Sequence, residues 1–194
     1  MSKSIKNAEL KRESIVLAAR NLFLQQGYGI TSMDVIAQKA DVTKQTIYRY
    51  FASKEALFVA VMENIRQTET TSYTFSSGPV YEELLSYGQY LLAFHLQPDA
   101  LGLYRLMLTE GGHENLMKVF MKTGPKKVHQ ALIEFLRQHY PNLSEVEFCA
   151  QMFISMALAP RNQLLMGGKN KLKKSIQEEH IEKVTQLFLK MIEP

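Results

Sequence analysis

The segment Thr43-Lys-Gln-Thr-Ile-Tyr-Arg-Tyr50 concentrates side chains suited to reading or gripping a polyanion. Gln45 offers the donor and acceptor pair that matches an adenine edge, Lys44 can donate to guanine or phosphate, and Thr46 can touch a thymine methyl. Tyr48, Tyr50 and Lys54 carry the hydroxyl and ammonium donors that fix a protein's register on phosphates. Arg49 adds a cation whose other reading is a solvated or acid-paired surface residue. Upstream, Thr31 and Ser32 stand at a helix start, where free backbone N–H groups offer a further phosphate contact.

These residues need a scaffold, and the pattern around them is helical. From about Lys11 to Gln26, Ile15, Ala18, Ala19, Leu22 and Phe23 recur at spacings of three and four, forming one apolar stripe. Gly27-Tyr28-Gly29 ends that helix, because glycine tolerates the left-handed conformation used after helix ends. Thr31-Ser32-Met33-Asp34 reads as a fresh start, a hydroxyl cap with an acid in the first turn. Asp41-Val42 forms a turn, and Thr43 caps a short helix to about Tyr50. A helix from Ser53 to about Gln67 follows. Ile36, Ala37, Ala40, Val42 and Ile47 are placed to pack the two short helices together, with Phe51 assigned to the core. Two short helices joined by a tight turn make a helix-turn-helix, whose second helix enters the major groove. From spacing alone, an ordinary surface helix pair fits as well.

Charge bears on the choice, the alternative being a chance distribution of surface charge. Residues 1–67 hold ten Lys/Arg against six Asp/Glu, whereas the rest of the chain holds thirteen of each. The whole net charge of +4 therefore sits on a third of the chain, as a polyanion-binding module requires. The polar stretch 68–79 divides the sequence into a DNA-binding part (1–54, with 54–67 as a linking helix) and a second part (68–194). Further helices are predicted at roughly 80–96, 99–110, 114–122, 125–139, 144–166 and 176–193, punctuated by Pro98, Gly111-Gly112, Gly124-Pro125, Pro141 and Gly167-Gly168. The fold class is all-α.

Other chemistries find no support. There is no Gly-rich phosphate loop and no Gly-x-Ser-x-Gly, and His113-Glu114 lacks the second histidine of a zinc-protease helix because residue 117 is Met. The five histidines (95, 113, 129, 139 and 180) are scattered, and the lone Cys149 lies in an apolar run. No enzyme activity, cofactor or metal is expected. The run from Leu84 to Pro98 falls short of the ~20 apolar residues that span a bilayer, and the first residues lack a signal-peptide core. A cytoplasmic protein is expected.

The segment from Arg12 to Val61 resembles the N-terminal domain of the TetR family of bacterial transcriptional regulators. The matching residues are Ile15, Ala18-Ala19, Leu22-Phe23, Gly27-Tyr28, Thr31-Ser32-Met33, Ile36-Ala37, Ala40-Asp41-Val42, Thr43 through Phe51 and Lys54 through Phe58. Two positions depart from the commonest pattern. Asp41 and Gln45 each stand where the family often has glycine. Asp is among the few other residues that tolerate positive φ, and a long amide at position 45 changes which bases are read.

The resemblance implies a homodimer on a palindromic operator, with a C-terminal part that binds a small molecule. The dimer interface is expected from the helices near 144–166, apolar almost all round and interrupted by Pro160, and 176–193, the alternative being that both close the monomer core. An apolar or amphipathic effector is expected among Tyr87, Tyr90, Phe94, Tyr104, Met107, Met117, Phe120, Met121, Met152, Phe153 and Met156, with Arg105, His95 and His129 as polar contacts. Each of these is also readable as plain core. Effector binding is expected to shift the helix at 53–67 and release a repressor. The alternative is an effector-independent architectural or cell-cycle factor.

Overall fold

The computed structural model describes residues 3–67, 73–110, 116, 118, 120, 126–167 and 173–193. Among them are ten helices: α1 Lys3–Gln26, α2 Met33–Lys39, α3 Lys44–Tyr50, α4 Lys54–Gln67, α5 Val80–His95, α6 Pro98–Glu110, α7 Lys126–His139, α8 Val146–Ala157, α9 Ala159–Leu165 and α10 Lys174–Ile192. The chain forms two compact units. One comprises residues 1–70 and 102–124, the other 71–101 and 125–194. The polar stretch in the sequence lies at the first of these divisions, but α6 gives its residues from Gly102 onward to the first unit.

In the first unit, α1 buries Ile15, Val16, Ala18, Ala19, Leu22 and Phe23, the expected stripe with one addition. The helix begins at Lys3, ahead of the start expected near Lys11. Residues 3–10 contain no glycine or proline and several good helix formers, so they extend a helix nucleated by the packed turns beyond them. Gly27 ends α1 at φ +102°, its N–H donating to the Phe23 carbonyl at 3.1 Å. Phe23, Tyr28 and Phe58 then form a ring trio with centroids 5.3–5.8 Å apart, tilted or edge-on. That geometry adds to the area they bury.

In the second unit, Leu84, Tyr87, Leu91, Phe135, Phe153, Ile181 and Phe188 form the core. A Cβ at Gly88 would lie 2.7 Å from Ile181 Cγ2, so α5 and α10 approach closely only because that position is bare. The helix read as 144–166 is two helices. Pro160 has no N–H to continue the ladder, and α8 gives way to α9 at Leu158. Tyr73 and Phe75, from the end of the polar stretch, lay their rings on Tyr87 and Phe135. Glu83 in the first turn of α5 reaches back to accept the Ser76 N–H at 2.8 Å, which fixes this aromatic segment to the helix. The helix expected at 114–122 falls mostly outside the described residues, as do Met117 and Met121. No described helix is long and apolar enough to cross a membrane.

His95, at the end of α5, is 9% exposed. Burial, then the charge of Arg161 and of His129, pushes its imidazole down to about 3. Burial lowers His129 in the same direction. The unfolded chain takes up these protons near the ordinary pH 6.5, whereas the folded chain refuses them. The resulting stability is complete above about pH 6.5 and is lost as the pH falls towards 3. Chemical denaturation should therefore show a loss on the order of 2 kcal/mol between pH 7 and pH 5, and His95→Gln should flatten that slope. An unchanged slope in the variant would show that His95 is protonated in the folded chain.

Candidate nucleic-acid interface

The seven residues of α3 are held from below by a single side chain. Ile47 is fully buried and is the only residue of α3 so placed. It packs into the core formed by Ile36, Ala37 and Ala40 of α2 and its end, together with Ile15, Ala19 and Phe51. Thr43 caps the helix, its hydroxyl accepting the Thr46 N–H at 3.1 Å. Ser32 caps α2 in the same way, accepting the Val35 N–H at 3.2 Å. Between the two helices, Asp41 adopts φ +53°, so the position where glycine is common does use the left-handed region.

Because Ile47 is the one fully buried residue, with Tyr50 partly packed beside it, most of the polar side chains of α3 are left outward. Lys44, Gln45, Tyr48 and Arg49 are exposed and Thr46 is half-buried. Lys44 meets Asp34 of α2 at 2.8 Å across open solvent. That pairing raises the Lys44 ammonium, through the hydrogen bond and charge of Asp34, and leaves it free to exchange partners. The Arg49 guanidinium lies over the Tyr50 ring, 5.3 Å from its centroid, and Tyr50 is partly covered by the core.

Two expected contact residues are engaged inside the protein. Thr31 is 1% exposed and donates its hydroxyl to the Gly27 carbonyl at 2.6 Å, so its side chain holds the turn. Lys54 donates to the Gly29 carbonyl at 3.2 Å and sits 4.3 Å from the Tyr28 ring centroid. Its desolvation lowers the ammonium's affinity for a proton, against the pull of Glu110 and Glu55.

Glu110, at the end of α6, has no counterpart among the residues expected from the sequence. Both its carboxylate oxygens accept the Gly29 N–H, at 3.0 and 2.8 Å. A Cβ at Gly27 would come within 2.6 Å of the same carboxylate. The turn between α1 and α2 is thus clasped by Lys54 on its carbonyl side and by Glu110 on its amide side. A groove of about 550 Å³ lies beside this clasp, lined by Phe23–Gly27 of α1 and by Gly102, Arg105, Leu106, Thr109 and Glu110 of α6.

The other expected effector contacts are distributed between the units. Tyr104, Arg105, Met107 and Phe120 belong to the first; Tyr87, Tyr90, Phe94, His129, Met152, Phe153 and Met156 belong to the second. Tyr87 and Phe153 are fully buried core. Tyr104 faces Phe120 edge-on at 5.8 Å, and Met107 is buried in the core around Phe23 and Phe58.

A capped, singly anchored helix with an outward polar face, preceded by a second short helix, defines a helix-turn-helix DNA-binding regulator. Residues 15–61 match the family of bacterial regulatory proteins of the tetR type, and residues 82–191 match the C-terminal domain of AefR-like transcriptional repressors. The chain belongs to the TetR family of DNA-binding transcriptional regulators, a family of regulators and not of enzymes. It is 33% identical over 78 residues to the regulator YvkB of Bacillus subtilis (strain 168), covering 40% of this chain and 41% of YvkB. It is 42% identical over 55 residues to RutR of Escherichia coli (strain K12), covering 28% and 26%. These matches span about a quarter to two-fifths of the relatives' own length. Among solved structures, the flavonoid-responsive regulator FrrA is 28% identical with a TM-score of 0.79, covering 94% of this chain and 97% of FrrA. A TetR-family regulator from Mesorhizobium loti MAFF303099 shares the fold at 23% identity and a TM-score of 0.77, covering 98% of both chains.

Replacing Ile47 and replacing Gln45 should have opposite signatures. Ile47→Ala should cost about 2–4 kcal/mol of stability, read by denaturant unfolding. Gln45→Ala should stay within about 0.5 kcal/mol of the parent while altering DNA selection. Equal destabilisation by the two would mean that Gln45 is a packing residue.

Proposed function

We propose that this protein is a homodimeric repressor that binds a palindromic operator through α3 and is released by a small apolar or amphipathic effector. The observation that carries the DNA contact is the exposed face of α3, with Lys44, Gln45, Tyr48 and Arg49 outward while Ile47 faces in. Gln45 and Lys44 read base edges, and Thr46 meets a thymine methyl. Thr43, Tyr48, Arg49, Tyr50 and the helix start at Thr31 and Ser32 set the register on phosphates, with Lys54 joining them when it leaves Gly29.

Dimerisation through the region of α8, α9 and α10 is supported by the large apolar side chains that α8 and α10 leave exposed. Phe148 is 59% exposed, Leu187 61% and Met191 47%, apolar side chains that a partner copy would cover. Repression is supported by the C-terminal match to AefR-like repressors. A small aromatic effector is supported by the kinship to a regulator described as flavonoid-responsive. In this scheme an effector acts on α6, and Glu110 passes the change to the α1–α2 turn and so to the spacing of the two α3 helices. The site of action is cytoplasmic.

Selection of duplexes from a random pool at physiological salt tests this reading. The expected result is an enriched palindrome whose half-sites lie a whole number of helical turns apart, with enrichment abolished on replacing Gln45 and Tyr48 by Ala. Salt-sensitive binding with no enriched sequence would overturn it. Tight operator binding that no small aromatic compound weakens would favour an effector-independent factor.

A further inference from the structure

The first three turns of α1 bury no side chain among the described residues. Residues 5–14 are all exposed, and the first buried residue is Ile15. At 1.5 Å per residue, the segment from Lys3 to Ser14 projects about 18 Å beyond the packed part of the helix.

The contacts along α1 show where that projection goes. Its last turn lies against α6, with Leu24 beside Gly102 and Gly27 beside Glu110. Further back, Arg20 donates to Asn64 of α4 at 3.1 Å. Further still, Ser14 donates to the Ala40 carbonyl at the start of the α2–α3 turn at 3.4 Å. Arg12 lies over the ring of Phe51, which ends α3, 5.2 Å from its centroid. Moving towards the N-terminus, α1 therefore passes from α6 to the helix-turn-helix and then continues past it, on the side away from α6.

The face it presents there is defined by helical spacing. Asn7, Lys11 and Ser14 are four and three residues apart and share one face. Ser14 fixes that face as the one turned towards the helix-turn-helix. Glu9, Glu13 and Lys6 fall on other faces. Among the described residues no ion pair engages Lys11. The face nearest α3 is thus cationic and free of acid.

We propose that α1 is a second DNA-contacting element, laying Lys11 and Arg12, with Asn7 beyond them, on the phosphate backbone flanking the bases read by α3. Duplex DNA presents about one negative charge per 1.7 Å of axis, so a cationic helical face running past the end of a groove-reading helix meets a dense line of anions. The stacking of Arg12 on Phe51 holds its guanidinium at the end of α3 without neutralising it. This proposal rests on the reading that α3 binds DNA.

The test compares Lys11→Ala with Lys6→Ala, the same charge removed from two faces of one exposed helix, using the selected palindrome with natural flanks and the full chain. The expected result for Lys11→Ala is a several-fold weaker affinity and a salt slope smaller by about 1 for each phosphate no longer neutralised, with Lys6→Ala close to the parent. Equal behaviour of the two variants, or no effect of either, would overturn the proposal. So would a change in oligomeric state by light scattering with DNA affinity intact, which would assign this face to a second copy of the chain. If the parent chain shows no sequence-specific binding that depends on Gln45, the underlying reading falls, and this one with it.

Discussion

One buried side chain supports the functional surface. A seven-residue helix is too short to persist in water on its own, and α3 has one fully buried residue to hold it, Ile47. Anchoring through one fully buried residue leaves Lys44, Gln45, Tyr48 and Arg49 exposed on the outer side of the helix. Two hydroxyl caps, at Ser32 and Thr43, and the left-handed turn at Asp41 supply what Ile47 cannot, the direction in which α3 leaves α2.

The same economy governs the link to α6. The α1–α2 turn needs glycine at 27 for its positive φ and for the close approach of Glu110, and it needs the Gly29 amide for that carboxylate to grip. Lys54 at the start of α4 holds the opposite side of the same peptide segment. Glu110 of α6 and Lys54 of α4 thus meet on the same peptide segment, the turn that leads into α2. No covalent neighbour provides this connection, because Glu110 stands 81 residues from Gly29.

Where apolar periodicity coincides with packing, the sequence foretold the structure. The stripe of α1, the caps of α2 and α3, the inward turn of Ile47 and the break at Pro160 follow from spacing, hydroxyl position and the missing N–H of proline. The early start of α1 was not legible, because its first turns are helical by propensity and carry no buried stripe. Tyr73 and Phe75 were hidden in a hydroxyl-rich stretch that reads as a linker, although their rings close the second core. Glu110 could not be found from local pattern at all, since its partner is a backbone amide far away in the chain. The effector contacts were least legible. Aromatic and methionine side chains line cavities and fill cores alike, and only burial marks Tyr87, Met107 and Phe153 as core.

The central claim is that the exposed face of α3 lies in the major groove. Site-directed disulfide trapping tests it most directly. The chain has one cysteine, Cys149, so a Cys149→Ser background carrying Gln45→Cys presents a single thiol on that face. Mixed with a selected operator bearing a thiol tether on a major-groove base of one half-site, it should cross-link rapidly, whereas Gln25→Cys in the same background should not. Equal trapping of the two variants, or trapping only by Gln25→Cys, would contradict the account.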